Sequence, residues 1–408
     1  MDTPFDAGRL DRLMDAAGVD AVLACSPHNV SYLLGGYRFF MFAHGTVMGA
    51  SRYLPVVGYV RGAPERTFFV GNPFERGQQE HEPLWVPDVD ITSWSSRESG
   101  RVAAQALAAR GLRRVAIEPS FLPLDAHVEL AGLELVDGSG LLDELRAVKR
   151  PDELAQIRAA ADAIVDSMGA VFAAATPGIN QHELAELMHV EEARRGLTFE
   201  YCLVNTGRER NRAPNAAVAW NEGELCCLDS GGSFRGYVGD LARMGFMGEV
   251  PERALGLLAQ VDTVQQAART AIAAGRPGAG LFVAADAART DLPDSARIDF
   301  LAHGMGLISH EAPRLTASGP VPYAADHADR PLEAGMVLSV ETDLRDPEIG
   351  FVKLEDTIIV TADGYEAVGD RLRGWNHAGT APSASSTATN TSSVEPEPST
   401  RRSRPSAA

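Results

Sequence analysis

Apolar positions in the first 150 residues come in short bursts. The runs "DAVLAC", "YLPVVGYV", "RTFFVG" and "RRVAIEP" each read as a strand. Between them lie stretches of helical period, one near Asp6–Ala17 and one in "RVAAQALAARG", which closes at Gly111, a residue suited to a helix C-terminus. The segment "SPHNVSYLL" follows the first strand. Helices alternating with short strands predict an α/β layered domain over residues 1–148.

The pattern changes at "LRAVKRPDELAQIRAAADAIVDSMGAVFAAA". Pro151 follows a basic pair and opens a long amphipathic helix, as proline does at a first helical position. Two more helical stretches follow: "NQHELAELMHVEEARRG", running to Gly196, and "VPERALGLLAQVDTVQQAARTAIAAG", running to Gly275. Strand pairs lie between and after them. Residues 149–374 therefore read as an α+β domain of helices on an antiparallel sheet. From 375 to 408 the chain is Ser/Thr/Ala/Pro-rich, with too little apolar surface to offset its ordering entropy, and is expected to be disordered.

Length and composition narrow the function. At 408 residues, 45% hydrophobic, the chain can bury two cores. A net charge of −18 argues against nucleic acid or an anionic membrane as partner. No apolar run approaches a membrane span, and the acidic start has no signal-peptide pattern. Four irregularly spaced cysteines (Cys25, Cys202, Cys226, Cys227) suggest buried thiols in a reducing cytoplasm.

The chemistry concentrates in two hairpins. "ELCCLD" and "YVGDLARMGF" flank the turn "SGGSFRG"; folded near Phe234–Arg235, they set Asp229 opposite Asp240. "MVLSVETDL" and "FVKLEDTIIV" fold about Asp346–Gly350 and set Glu341 opposite Glu355. Facing Cβ atoms lie about 4.5–5.5 Å apart, and like charges there repel unless a cation lies between them or one of them holds a proton. In "LAHGMGLISHEAP", His303 and His310 add imidazole. That mixture suits manganese, iron, cobalt or zinc better than magnesium or calcium.

Asp229 in "LDSGG", Asp240 in "GYVGDLAR", His303 in "HGMGLISHE", Glu341 in "SVET" and Glu355 in "KLEDT" follow the order and context of the creatinase/aminopeptidase P/prolidase family, which the chain resembles. The likeness extends to "RAVKRPDELAQIRAAADA" and to the N-terminal α/β domain. It implies a C-terminal pita-bread domain preceded by a smaller creatinase-type domain. It further implies two divalent ions, manganese first with iron, cobalt or zinc as alternatives. Asp229 would hold one, His303 and Glu341 the other, and Asp240 and Glu355 would bridge. A hydroxide between the ions would attack an amide carbonyl, as in an Xaa-Pro dipeptidase or aminopeptidase P. His310 matches a family histidine beside the substrate and is the candidate catalytic residue. Lys353 stands where these peptidases often carry arginine and is a substrate-side candidate. Kinship also favours a homodimer acting on a short peptide or small molecule.

One departure counts. The peptidases carry a further histidine upstream of the first aspartate, whereas "VNTGRERNRAPNAAVAWNEGE" has none. Asn215 is the nearest polar candidate for that role, and the arginines of "GRERNRAP" would suit an anionic substrate group. The alternative function is therefore the same fold and metals acting on a small non-peptide metabolite, as a lyase or small-amide hydrolase. In the first domain, Tyr37, Arg38 and His44 are a weaker candidate group, since such residues can lean over a neighbouring subunit's site.

Overall fold

The computed structural model describes residues 2–39, 47, 53–317 and 325–379. His44 and residues 380–408 of the expected tail lie outside this set.

The first domain is a six-stranded mixed sheet between two apolar layers. Its strands are β1 (Ala21–Ala24), β2 (Val56–Val60), β3 (Phe68–Val70), β4 (Asp88–Asp90), β5 (Arg114–Ile117) and β6 (Glu134–Asp137), in the order β4-β3-β2-β1-β5-β6. All four runs read as strands are strands. The helices Ala7–Ala17 and Ser96–Ala109 also form, the first capped by Asp6 and the second followed by Gly111 in the left-handed conformation. "SPHNVSYLL" is largely helix, Pro27–Leu33, because Ser26 accepts a hydrogen bond from the Asn29 amide and Pro27 fits the first turn.

The helix Pro151–Ala174 opens the second domain at the expected proline, with the Glu153 carboxylate accepting from the Arg150 amide. It is followed by β7 (Ile179–Asn180), which pairs with β9 (Ala219–Trp220) in a small separate ladder. The main sheet contains β8 (Thr198–Thr206), β10 (Leu225–Phe234), β11 (Tyr237–Phe246), β12 (Ile298–Gly304), β13 (Val337–Asp346) and β14 (Gly350–Val360), in the order β12-β13-β14-β11-β10-β8. β15 (Tyr365–Val368) joins β14, and β16 (Asn376–His377) joins β11.

Helices Pro151–Ala174 and Gln181–Arg194 cover one part of this sheet; Glu252–Thr270 and Gly280–Arg289 cover another. The long helix approaches closely because Gly239 has no side chain: a Cβ there would lie 2.8 Å from the Ala161 amide nitrogen. The helix expected to reach Gly275 stops at Thr270, and Gly275 itself takes a positive φ in the loop beyond. β16 falls inside the segment expected to be disordered; Trp375 packs edge-on against Phe246 and holds the chain there.

Candidate metal centre

The pleat alone brings the five residues to one side of the sheet. Glu341 pairs directly with Glu355, as expected, because Asp346 accepts from the Glu348 and Ile349 amides and fixes the turn. The other hairpin differs from expectation. Its turn is Arg235–Gly236, both with positive φ, so Phe234 pairs with Tyr237. Asp229 then faces Ala242, and Asp240 faces Gly231. The two aspartates are diagonal neighbours and not opposite, since moving the turn by one residue moves every partner by two. They remain on one face, and Ala242 pairs with Glu355, which sets the two hairpins side by side. His303 pairs with Ser339 at the end of β12, on the same face as Glu341 by strand parity.

All five side chains are largely removed from solvent. Asp240, His303 and Glu355 each offer a ligand atom, and these atoms lie within 4.8 Å of one another. Asp240 Oδ1 is buried with no hydrogen-bond partner among the described residues. His303 Nε2 is 3.6 Å from Glu341 Oε1 and 4.0 Å from Glu355 Oε1. Ser339 donates to Glu355 Oε1 at 2.7 Å. Burial, then the neighbouring Asp229, pushes Asp240 up from its ordinary range. Burial and the charges of Asp240 and Glu341 do the same to Glu355. Burial also pushes His303 down, keeping its imidazole neutral and free to ligate. An unpartnered carboxylate oxygen on Asp240, the Glu355 carboxylate and a neutral imidazole make a donor set that fits a borderline divalent cation.

The sequence profile of metallopeptidase family M24 matches residues 155–362, and that of the creatinase/prolidase N-terminal domain matches residues 7–148. The chain belongs to metallopeptidase family M24. In this chain the M24 pita-bread domain is preceded by a creatinase-type domain. The chain is 26% identical to dimethylsulfoniopropionate lyase DddP of Roseobacter denitrificans, over 89% of this chain and 84% of that protein. It is 23% identical to the Xaa-Pro dipeptidase of Pyrococcus furiosus, over 87% of this chain and 95% of the other. Its fold matches the solved Xaa-Pro dipeptidase of Bacillus anthracis with a TM-score of 0.77, at 21% identity, covering 91% and 98% of the two chains.

Within this M24 site, Lys353 lies deeper than a substrate contact would. Its ammonium is 2.6 Å from Asp229 Oδ2, 2.5 Å from Glu341 Oε2 and 2.8 Å from Glu355 Oε2. Burial alone would raise Glu341, but Lys353 holds its carboxyl below the ordinary range. Strand parity could have shown this, since Lys353 is two residues from Glu355 and shares its face.

Asn215 does not join the cluster: it is exposed, and its side-chain oxygen accepts from the Ala217 amide in a turn. Arg212 from the same loop does join it, pairing with Asp229 Oδ2. Its backbone carbonyl accepts from the Val204 amide, and its guanidinium lies 5.1 Å over the Phe351 ring, as Arg345 does at 5.0 Å. The sequence marks the loop as arginine-rich, but no local pattern distinguishes Arg212 from Arg208 or Arg210.

His310 stacks on His303, with ring centroids 3.8 Å apart and planes 11° from parallel. Its Nδ1 is 3.1 Å from Ser309 Oγ, and its buried Nε2 has no partner among the described residues. Burial and His303 push it down to about 4, so it is neutral near pH 7. The next residue, Glu311, anchors this loop to the first domain and its linker. Lys149 Nζ is 3.0 Å from Glu311 Oε1, and Arg146 Nε is 3.1 Å from Oε2. Arg146 also meets Asn29 of the first domain.

Tyr37 and Arg38 serve different ends. Tyr37 donates to the buried Glu75 at 2.7 Å, a contact within the first domain. Arg38 lines a cavity of about 560 Å³ between the domains, with Tyr32, Arg150, Arg235, Tyr237 and Leu307. All four cysteines are free and buried, and no helix among the described residues is long and apolar enough to cross a membrane.

Proposed function

We propose that the chain is a divalent-metal-dependent hydrolase that cleaves the amide bond of a dipeptide-sized substrate, in the manner of an Xaa-Pro dipeptidase. The observation that carries this reading is the convergence of Asp240, His303 and Glu355 from three strands onto one buried point. These three would hold the cation, with Ser339 fixing the Glu355 carboxylate. Manganese, iron, cobalt or zinc suits them. A divalent ion held there supplies Lewis acidity and brings the ionisation of water down to near neutral pH.

The rest falls to the chain's own side chains. His310, neutral and with a free Nε2, is the group placed to hydrogen-bond the scissile carbonyl and the oxyanion that forms from it. Its stacking on His303 and the Glu311 anchor limit its motion, so little reorganisation accompanies reaction. Arg212 and Arg345 form a cationic rim that favours a substrate carrying a carboxylate. Kinship favours a homodimer, which sedimentation would test.

A second reading keeps the fold and the metal but replaces the dipeptide with a small non-peptide metabolite. It is favoured by the absence of histidine from residues 205–224 and by the likeness to the DddP lyase. Incubating metal-loaded protein with Gly-Pro and Ala-Pro, beside small amides and dimethylsulfoniopropionate, separates the two. Proline release supports the first reading. Turnover of the small compounds alone replaces it with the second.

A further inference from the structure

We propose that the Lys353 ammonium is the resident second cation of the carboxylate cluster, so that each chain takes up one divalent ion and not two. This rests on the metal-dependent reading above and departs from the two ions that the family resemblance implies.

The first argument is geometric. Lys353 is buried, and its Nζ lies within 2.8 Å of carboxylate oxygens from Asp229, Glu341 and Glu355. An ammonium has three protons, and here three carboxylates surround it. Lys353 presents a compact point charge to all three carboxylates, where an arginine would present a planar fork. Asp229 Oδ2 also receives Arg212. Asp229 Oδ2, on the residue that would hold the other ion, and Glu341 Oε2 therefore already face cations. What remains is the Asp240, His303 and Glu355 set, enough for a single ion, with Glu341 Oε1 next to His303 as a further donor.

The second argument is charge. Asp229, Asp240, Glu341 and Glu355 carry four negative charges when ionised. Lys353 and Arg212 neutralise two of them. One divalent ion brings this count to zero, whereas two would leave an excess of two positive charges, which burial penalises. Asp343, cross-strand from Lys353, adds a further carboxylate, and Arg345, two residues along the same strand and attracted to it, adds a further cation, so the pair leaves this count unchanged.

The test is stoichiometry. Protein stripped with chelator, reloaded with Mn²⁺ and exchanged into metal-free buffer is analysed for manganese per chain by mass spectrometry. We expect one ion per chain and a six-line paramagnetic resonance spectrum of isolated Mn²⁺. In Lys353→Met and Lys353→Ala the content should rise toward two, with a spin-coupled spectrum. Two ions in the wild-type chain would overturn the inference and leave the metal-dependent reading standing. No ion at all would overturn both. One ion in the wild type and one in folded Lys353 variants would remove the role assigned to the lysine. If the variants do not fold, the wild-type count and spectrum decide.

Discussion

Glu355 and Asp356 are neighbours in β14, both buried, and they face opposite sides of the sheet. On the Asp356 side, one carboxylate meets three guanidiniums: Arg243 at 2.8 Å, Arg269 at 2.7 Å, and Arg373. Despite burial, those arginines hold Asp356 down at about 2. On the Glu355 side the ratio is reversed, with several carboxylates sharing one lysine and one arginine, and Glu355 is pushed up. One face is electrostatically complete and the other lacks positive charge. The first is how a fold neutralises a buried acid for its own stability; the second is how it keeps a place for a cation from outside.

The contrast can be broken from either side. Asp240→Ala should abolish metal retention and lower turnover by roughly 10⁴-fold, the scale on which losing one member of a catalytic unit falls; metal analysis and a proline-release assay on the folded variant check both. Asp356→Ala should cost about 3–5 kcal/mol of stability by removing the buried carboxylate shared by Arg243, Arg269 and Arg373, read as a lower urea midpoint. Whatever folded Asp356→Ala protein remains should still bind metal. His310→Ala should keep metal and stability yet lose roughly 10²–10³ in kcat, the loss typical of removing one oxyanion donor. An unchanged kcat would remove its role.

The smallest effect lies far from both faces. Glu144 is held at about 2 by His327, with Arg330 and Arg9 adding to the pull. A lowered carboxyl stabilises the fold above its unfolded value near 4.5, and that contribution is lost as pH falls toward 2. After solvent screening, Glu144→Gln should cost about 1 kcal/mol or less at neutral pH. The difference should vanish in acid, as thermal melts across that range would show.

Much of this was legible in the chain. Glu341 and Glu355 were correctly paired because Pro347 and Gly350 leave little freedom in placing the turn. The partner hairpin slipped by one residue because "SGGSFRG" offers several glycines that can turn, and Gly231 and Gly232 turned out to lie within β10. Gly231 is bare for another reason: a Cβ there would sit 2.4 Å from the Tyr201 ring that packs beside Asp240. Arg212 was not legible, since its place depends on how a long loop folds back over β14. The helix Gly280–Arg289 is hard to read in the sequence because it is short and opens on Gly280 just after Pro277 and Gly278, residues that read as loop.

The anchoring of Glu311 has a consequence for how such proteins recombine. The stem that steadies His310 is shared between Glu311 in the second domain, Arg146 and Lys149 at the junction, and Asn29 in the first. A chimera that grafts a foreign N-terminal module onto this catalytic half would inherit the cation cluster whole but misplace the imidazole beside it. Shuffling of the two halves is thus constrained by a handful of polar residues at the seam.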